Sequence, residues 1–305
     1  MTAGKALTTG LKILAVCLVF ALCFVAGGIL SGLNKAGQQV PPAQQAATSL
    51  PETPIKPQTQ QMPENLLSAF LLFSVCVGVV LSYLILRSSW HGWPLVGAIC
   101  VGVYGIATVA AQIESIVFLS NKLPRGMVRA IFLQGAIATA LFAPLAVLLL
   151  GKWRAVSRAP ATPAIARMRA TSAAWRLGLI VVAFVFLYMF FGYYVAWQSP
   201  AVRLYYGGPE YSSFYAALKA NWICNRWIYP LQVFRALLYA ACLYPLIRML
   251  RVARWKTALA MASFLSVWST VLLLPNPMIP SSVAHAHFWE TWASAWFSVL
   301  LLAGS

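Results

Sequence analysis

The stretch Leu274–Glu290, LPNPMIPSSVAHAHFWE, joins the last two long apolar segments of the chain. Its three prolines lack a backbone N–H donor and restrict the residue before them, so the stretch predicts a break in regular structure. Such a break between two apolar runs is typical of a place where a chain leaves a membrane and re-enters it. After the break, the sequence carries His285, His287 and Glu290 into the final apolar segment.

Lipid must surround most of the chain, because the composition offers too few polar residues to cover an apolar core. Of the 305 residues, 61% are hydrophobic and 9% are charged, against about 25% charged in a soluble domain. The formal net charge of +17 can indicate a nucleic-acid partner, but the cytoplasmic loops of membrane proteins also collect Lys and Arg. The lipid bilayer is therefore the expected partner, and no nucleic-acid partner is predicted.

Eight apolar segments, of 16 to 27 residues, are predicted to cross a membrane as helices, for which about 20 residues are typical. They predict an all-α, polytopic transmembrane helix bundle. The first segment is longer than the apolar part of a signal peptide, so an uncleaved span is expected. The predicted spans are about 10–32, 65–86, 93–119, 127–151, 177–198, 230–249, 257–274 and 287–302.

Three polar segments divide the apolar runs. Residues 33–64, rich in Pro and Gln, cannot bury enough apolar area to fold alone and predict an extended outer loop. Residues 152–176 form a basic linker between a first half, 1–151, and a second half, 177–305. Residues 199–229 form a second outer loop, which is rich in aromatic residues and in which we expect a short interfacial helix.

The basic residues predict that both termini are cytoplasmic. Eight spans place the termini on one side, and Lys and Arg are enriched in cytoplasmic loops. In that orientation the cytoplasmic side receives 13 of the 22 Lys and Arg residues, and the other side receives all five glutamates. The basic clusters 152–176 and 248–256 then share the cytoplasmic side, where we expect contact with anionic lipid headgroups. The plasma (inner) membrane is the expected location.

The two halves resemble each other, which predicts an internal duplication of four plus four spans. Four is an even number, so the halves would have the same orientation and be related by an axis along the membrane normal. Chance similarity between leucine-rich segments is the alternative. The matches are Leu81 with Leu243, Leu84 with Leu246, Ile85 with Ile247, Trp93 with Trp255, and, at a shifted spacing, Asn121 with Asn276 and Val128 with Val283.

Scarce ionisable residues predict a polar pocket near the non-cytoplasmic face. A charge within hydrocarbon is costly and needs a partner. Arg235 lies inside the sixth span, and Glu114 and Glu290 are the anions at compatible depth. The alternative for Glu114 is an interfacial carboxylate paired with Lys122 or Arg125. The full set of pocket candidates is Gln112, Glu114, Gln134, Arg235, Asn276, His285, His287 and Glu290.

The histidines permit three interpretations. His287 and Glu290 are three residues apart and share a helical face, a spacing that suits a proton relay or metal ligation. Polar residues that cap and hydrate the end of a span are the second interpretation. A metal site with His285, His287 and Glu290 as ligands is the weakest, because no HExxH motif or second His-rich motif accompanies them. No metal and no cofactor are therefore predicted.

Enzyme motifs of familiar kinds are missing from the sequence. The six cysteines include no CxxC pair, so neither a structural zinc site nor a thioredoxin-like pair is indicated. There is no phosphate-binding GxxxxGK[ST] motif, and the chain contains no aspartate for a Ser–His–Asp triad.

Two motifs carry a resemblance to a known group of proteins. They are PNPxxP followed by V and HxxE (Pro275–Glu290) and YYxxWQxPxxRxYYGG (Tyr193–Gly208). Together they resemble a family of multi-pass bacterial inner-membrane proteins of uncharacterised activity. The resemblance implies a bacterial inner-membrane location and no particular reaction. It makes Pro275, Asn276, Pro280, His287 and Glu290 the first residues to substitute.

Three functions remain open on the sequence. A small-solute or lipid-handling permease fits two duplicated halves with polar residues between them. A non-catalytic subunit or scaffold that docks a protein partner at the outer loops is the first alternative. A membrane-embedded enzyme that uses the His/Glu cluster is the second. A water-filled cavity lined by Glu114, Arg235 and Glu290 would favour the permease, and a solid bundle with an exposed apolar flank would favour the subunit.

Overall fold

The computed structural model describes residues 3–33, 35, 65–119, 123–154, 170–276 and 279–303. Throughout these ranges the regular elements are helices, and the one β-type pairing in them is a single antiparallel bridge between Ser88 and Leu250. The all-α prediction is confirmed. Most of the predicted loop 33–64 and most of the linker 152–176 lie outside the described residues.

The helices follow the apolar segments closely. Short departures from α geometry interrupt them: π-helix at Tyr104–Ala110 and Gly192–Ala196, and a 3₁₀-helix at Trp268–Leu273. In chain order the α-helices of the described ranges are α1 (Ala3–Leu30), α2 (Leu66–Arg87), α3 (Gly92–Val103), α4 (Ala111–Phe118), α5 (Met127–Leu149), α6 (Ala170–Phe191), α7 (Pro200–Tyr206), α8 (Phe214–Cys224), α9 (Ile228–Met249), α10 (Arg254–Val267) and α11 (Ser281–Ala303).

Seven helical stretches in the described part of the chain are long and apolar enough to cross a membrane, so the chain is a multi-pass helical membrane protein. The eighth predicted span, 287–302, falls within α11, a helix of 23 residues that packs against α6 and α10, but within the described ranges α11 is not among the stretches that are long and apolar enough to cross a membrane. The seven stretches are Gly4–Leu30, Leu66–Arg87, Gly92–Phe118, Met127–Leu149, Trp175–Ala196, Ile228–Met249 and Arg254–Leu273.

The two short helices lie in the predicted aromatic outer loop, and local sequence sets their ends. Pro200 occupies the first turn of α7, where its missing N–H costs nothing, and Gly207 ends α7 with φ of 73°. The hydroxyl of Ser213 accepts a hydrogen bond of 3.1 Å from the Ala216 backbone N–H and thereby caps α8. The short helix expected in this loop is α8.

The helices pack in the same pattern in both halves. In the first half α1 packs against α2 and α5, and α3 packs against α5. In the second half α6 packs against α9 and α11, and α10 packs against α11. Between the halves, α3 contacts α9 and α2 contacts α10. In each half, then, the first span contacts the second and the fourth, and the two middle spans face the other half.

Close helix contact holds the two halves together. A Cβ added at Gly102 would lie 2.6 Å from Cδ1 of Leu246, and one at Gly105 would lie 2.3 Å from Sγ of Cys242. Small residues let helix backbones approach closely in a membrane, where van der Waals packing drives association. One continuous core joins the halves, and it includes Ile99 of α3 and Leu246 of α9, which are both fully buried. The α3–α9 contact is therefore solidly packed.

Backbone hydrogen bonds join the ends of α2 and α9. The Ser89 N–H donates to the Met249 carbonyl at 2.7 Å, and the Arg251 N–H donates to the Arg87 carbonyl at 3.2 Å. The two donors are 162 positions apart, and so are the two acceptors. The same separation relates Leu81 to Leu243, the matched leucines of the proposed repeat.

Cations gather at this end of the bundle, which we call the basic end (residues 87–92, 151–154 and 248–256). The Lys152 ammonium donates to the Ser88 carbonyl at 2.8 Å, and the Gly92 N–H donates to the Lys152 carbonyl at 3.0 Å. Burial, and then the charges of Lys152 and Arg251, lower the pKa of His91. Helix α10 runs away from the basic end, so Leu274 lies at the opposite end, which we call the outer end.

Candidate functional site

A buried ion pair connects the two halves near the outer end. Nη1 of Arg235 on α9 donates to Oε1 of Glu114 on α4, and also to Oε1 of Gln232 at 2.9 Å. The Arg235 side chain is 7% exposed, whereas that of Glu114 is 38% exposed. The cation therefore sits inside the protein, and its counterion reaches the surface.

Aromatic rings enclose the Arg235 cation. Its guanidinium carbon lies 5.8 Å from the ring centroid of Tyr188 on α6 and 5.9 Å from that of Tyr239 on α9. A guanidinium within about 6 Å of a ring centroid gains a cation–π attraction, and the gain grows when water is excluded. Arg235 is thus held by one carboxylate, one amide and two tyrosine rings, and the Tyr239 side chain also forms a hydrogen bond with it.

A second pair of titratable side chains, His287 and Glu290, lies on α11. Nδ1 of His287 and Oε2 of Glu290 are 2.7 Å apart, as the three-residue spacing allows on one helical face. The ring of Tyr206 on α7 meets the His287 ring nearly at right angles, with centroids 5.6 Å apart. Oε1 of Glu290 would be 3.4 Å from a Cβ at Gly192, so the π segment after α6 passes close to this carboxylate.

Charge interactions connect the Arg235–Glu114 pair with the His287–Glu290 pair. Burial raises the pKa of Tyr206, and the charges of Tyr205, Glu114 and Glu290 raise it further. Tyr206 therefore lies within the field of both carboxylates. We call these groups the Arg235 cluster: Glu114, Tyr188, Tyr206, Gln232, Arg235, Tyr239, His287 and Glu290.

Several polar atoms in and beside the cluster have no hydrogen-bond partner among the described residues. Two are on α9: Nε of Arg235 and Nε2 of Gln232. The others are Nε2 of His287 and Oε1 of Gln112. A buried polar group without a partner is destabilising, so such groups normally bind water, an ion or a ligand. The Arg235 cluster has unused hydrogen-bonding capacity.

The other predicted pocket residues lie in different surroundings. Gln134 is buried where α5 packs against α1, and its Nε2 donates to the Phe24 carbonyl at 3.3 Å. His285 is exposed, with Nδ1 2.7 Å from the Ser281 carbonyl of its own helix. Asn276 is exposed in the proline-rich turn. Of the eight candidates, the structure brings Glu114, Arg235, His287 and Glu290 together and leaves Gln112 two residues from Glu114.

No protein-family model, curated protein or solved structure matches the chain. The resemblance of Pro275–Glu290 to a bacterial membrane family therefore stays a prediction. Function is inferred from the geometry of the Arg235 cluster. Within the described residues, no three His, Cys, Asp or Glu side chains are grouped so that they could hold a metal ion.

Sequence reasoning missed four members of the cluster, namely Tyr188, Tyr206, Gln232 and Tyr239. Only Gln232 carried a usable signal. It is a polar residue in an apolar span, three positions before Arg235 and hence on the same helical face. Tyr206 belongs to the aromatic series of the outer loop, where such residues are common, and Tyr188 and Tyr239 lie inside apolar spans among other large side chains, so nothing distinguished the three tyrosines.

An apolar groove of about 370 Å³ lies apart from the cluster, between α6, α8 and α9. It opens on the exposed side of α6, where Val182 and Phe186 are more than half exposed. Its lining residues are Val181, Val182, Val185, Phe186, Met189, Phe214, Leu218, Tyr229 and Val233. The tyrosine is the only lining side chain with a polar atom.

Proposed function

We propose that the protein is a permease-like protein of the bacterial inner membrane that takes up a small polar solute at the Arg235 cluster. The Arg235–Glu114 ion pair carries this proposal. It joins α9 of one half to α4 of the other, so any relative movement of the halves changes it. A charge kept inside a membrane protein at such a junction is typical of a solute or ion pathway.

The arrangement of the halves supports the same proposal. The helices of the two halves pack in the same pattern. In the two hydrogen bonds that join 87–89 to 249–251, each half supplies one donor and one acceptor, at positions that correspond in the proposed repeat. Both observations support a duplication with the two halves in one orientation, a plan used by transporters that rock one half against the other. Main-chain hydrogen bonds join the halves at the basic end, and the Arg235–Glu114 pair joins them near the outer end, where its rearrangement can accompany solute binding.

The distribution of charge supports a cytoplasmic basic end with both termini on that side. All five glutamates lie in segments assigned to the outer side, and the basic end carries cations without a single acidic residue in its sequence. Anionic lipid headgroups are the partners that such an acid-free face would attract. In this orientation the Arg235 cluster faces the non-cytoplasmic side.

A solute screen tests the proposal. Full-length protein in detergent is heated with small carboxylates, amines, neutral sugars or inorganic phosphate, one class at a time. A bound solute raises the melting temperature, because it stabilises only the folded state. We expect one class to do so and Arg235→Gln to abolish the effect. Flux of that solute into proteoliposomes then tests transport itself.

The chain provides a matched control. Arg203 and Glu210 form a second Arg–Glu pair, 3.5 Å apart, in the outer loop, where Glu210 is 78% exposed. Arg203→Gln should leave solute stabilisation unchanged. The proposal fails if no class stabilises the protein, or if Arg235→Gln and Arg203→Gln behave alike.

A non-catalytic subunit is the second candidate function, and the outer loop favours it. Leu204 on α7 and Tyr215 and Trp222 on α8 are each more than 60% exposed. Such a group of large apolar residues at a membrane surface can dock a protein partner. Under this alternative, a stoichiometric partner co-purifies in mild detergent and is lost from a Tyr215→Ser/Trp222→Ser variant. Under the permease proposal, the same variant keeps its solute response.

A further inference from the structure

Resting on the proposed function, we propose that the solute is a small organic carboxylate that displaces Glu114 from Arg235 and binds together with one proton. The unpartnered atoms indicate the chemical class. Nε of Arg235 and Nε2 of Gln232 are both N–H donors, and their residues are 5% and 0% exposed. Two buried donors, on residues that already touch each other, require acceptor atoms, which a carboxylate supplies.

The position of the donors suits a carboxylate in particular. Gln232 and Arg235 are three residues apart on α9 and already touch, because Nη1 of Arg235 donates to the Gln232 amide oxygen. A guanidinium presents its N–H groups as a planar fork that matches the two oxygens of a carboxylate. A positively charged solute would instead meet the guanidinium and the two N–H donors, all of which would repel it.

The charge balance explains why a proton must accompany the anion. Glu114 is the only carboxylate that forms an ion pair with Arg235 among the described residues. Glu290 already has His287 as its partner. A second anion at Arg235 would put two negative charges against one buried cation. Protonation of the Glu114 carboxyl removes that conflict and frees the guanidinium.

The exposure of Glu114 provides a route for the proton. Its side chain is 38% exposed, so water at the outer end can reach the carboxylate. In the exchange a hydronium ion in that water gives up a proton, so one of its O–H bonds breaks and one O–H bond forms on Glu114; the Arg235 N–H groups then donate to the solute instead of Glu114. No other bond changes. Release of the anion restores the ion pair and returns the proton.

The other titratable groups around Glu114 come from four helices. Tyr188 lies on α6, Tyr206 on α7, and Arg235 and Tyr239 on α9, while α11 contributes His287, with Glu290 beside it. On α5, which also packs against α4, Arg129 forms no ion pair with Glu114 in the described structure. Arg235 is therefore the cation that a protonated Glu114 would release.

Calorimetric titration of the full-length protein in detergent tests the inference, with sodium acetate, propanoate and benzoate as probes and methylammonium chloride as the opposite charge. The affinity for a carboxylate should rise about tenfold for each unit by which the pH is lowered, since one proton is linked to binding. Repeating the titration in two buffers of different ionisation enthalpy should give one proton taken up per anion.

Two variants separate the roles of the ion-pair partners. Glu114→Gln carries no charge, so it should bind the carboxylate with an affinity independent of pH and without proton uptake. Arg235→Gln should lose at least tenfold in affinity at low pH. Arg203→Gln and Glu210→Gln, at the ion pair of the outer loop, should match the wild type. Size-exclusion profiles check that each variant is folded. The pH series on the wild type tests the linked proton even if a variant does not fold.

The possible failures are distinguishable. Methylammonium binding that depends on Arg235 and Glu114 would refute the carboxylate inference but keep the permease proposal. Carboxylate binding that is independent of pH in the wild type would refute the coupled proton alone. An absence of any carboxylate effect, as expected if buried water occupies both donors, would refute the inference. If the solute screen also fails, the proposed function fails with it.

Discussion

At the scale of single residues, the buried cation of Arg235 makes the stability of the protein depend on its counterion, Glu114. Glu114→Ala would leave this buried cation with the Gln232 amide, the two tyrosine rings and the hydrogen bond to Tyr239 but no counterion, and we expect a loss of about 1–3 kcal/mol in the free energy of unfolding. Water already reaches Glu114, which argues against a larger value. Chemical unfolding in detergent measures the change.

The double variant isolates the pair itself. Arg235→Met removes the cation and leaves a carboxylate that can turn to water, so it should cost less than Glu114→Ala. Combined with Glu114→Ala, it should cost less than the sum of the two, because neither change leaves a charge behind. Additive effects would mean that Arg235 and Glu114 do not stabilise each other.

His91 predicts a pH dependence of stability at the basic end. Burial and the charges of Lys152 and Arg251 lower its pKa in the folded protein, so the unfolded state takes up a proton first as the pH falls. The melting temperature should therefore fall as the pH drops below about 6.5, the ordinary pKa of histidine. His91→Gln should remove that part of the slope, and Arg251→Gln should reduce it. An identical slope in all three proteins would contradict the explanation.

At the scale of helices, the contact between α3 and α9 depends on small residues. A Cβ at Gly102 would overlap Leu246, whereas one at Gly97, five residues earlier on α3, would meet nothing within 4 Å. Gly102→Val should cost about 1–3 kcal/mol in the free energy of unfolding, as overpacking does elsewhere. Gly97→Val should be nearly neutral. Equal losses in the two variants would show that the helix propensity of valine, and not the contact with Leu246, determines the change in stability.

The helices themselves could be predicted from sequence, and their irregularities could not. Hydrophobicity over about 20 residues is a strong signal, and Leu66–Arg87 departs by one residue at each end from the predicted 65–86. The π-helix at Tyr104–Ala110 depends on neighbouring packing, which hydropathy does not contain. The cost of charge in lipid drew attention to Arg235 and Glu114, but nothing comparable marked Tyr188.

Gln134 illustrates the limit of the same reasoning. A polar residue in an apolar span predicts a partner, and it finds one in the Phe24 carbonyl, at the contact between α1 and α5 rather than beside Arg235. The sequence gives the depth of a residue along its helix but not the direction in which it points. The direction depends on which helices become neighbours.

At the scale of the whole molecule, the orientation in the membrane can be tested with a cysteine that the chain already has. Cys224 at the end of α8 is exposed, and none of the other five cysteines is. In right-side-out spheroplasts, a membrane-impermeant maleimide should label Cys224. In a Cys224→Ser/Arg251→Cys variant, labelling should require permeabilisation. Labelling of Arg251→Cys without permeabilisation would reverse the proposed orientation.

The pairing of residues 87–89 with 249–251 has a mechanical consequence. Main-chain bonds do not depend on side-chain identity, so nearly any substitution there preserves the junction, except proline at Ser89 or Arg251, which removes a donor. The halves can tilt about this junction, and α2 and α9 each extend about 33 Å from it. A tilt of about 5° around the junction displaces their far ends by about 3 Å, the length of a hydrogen bond.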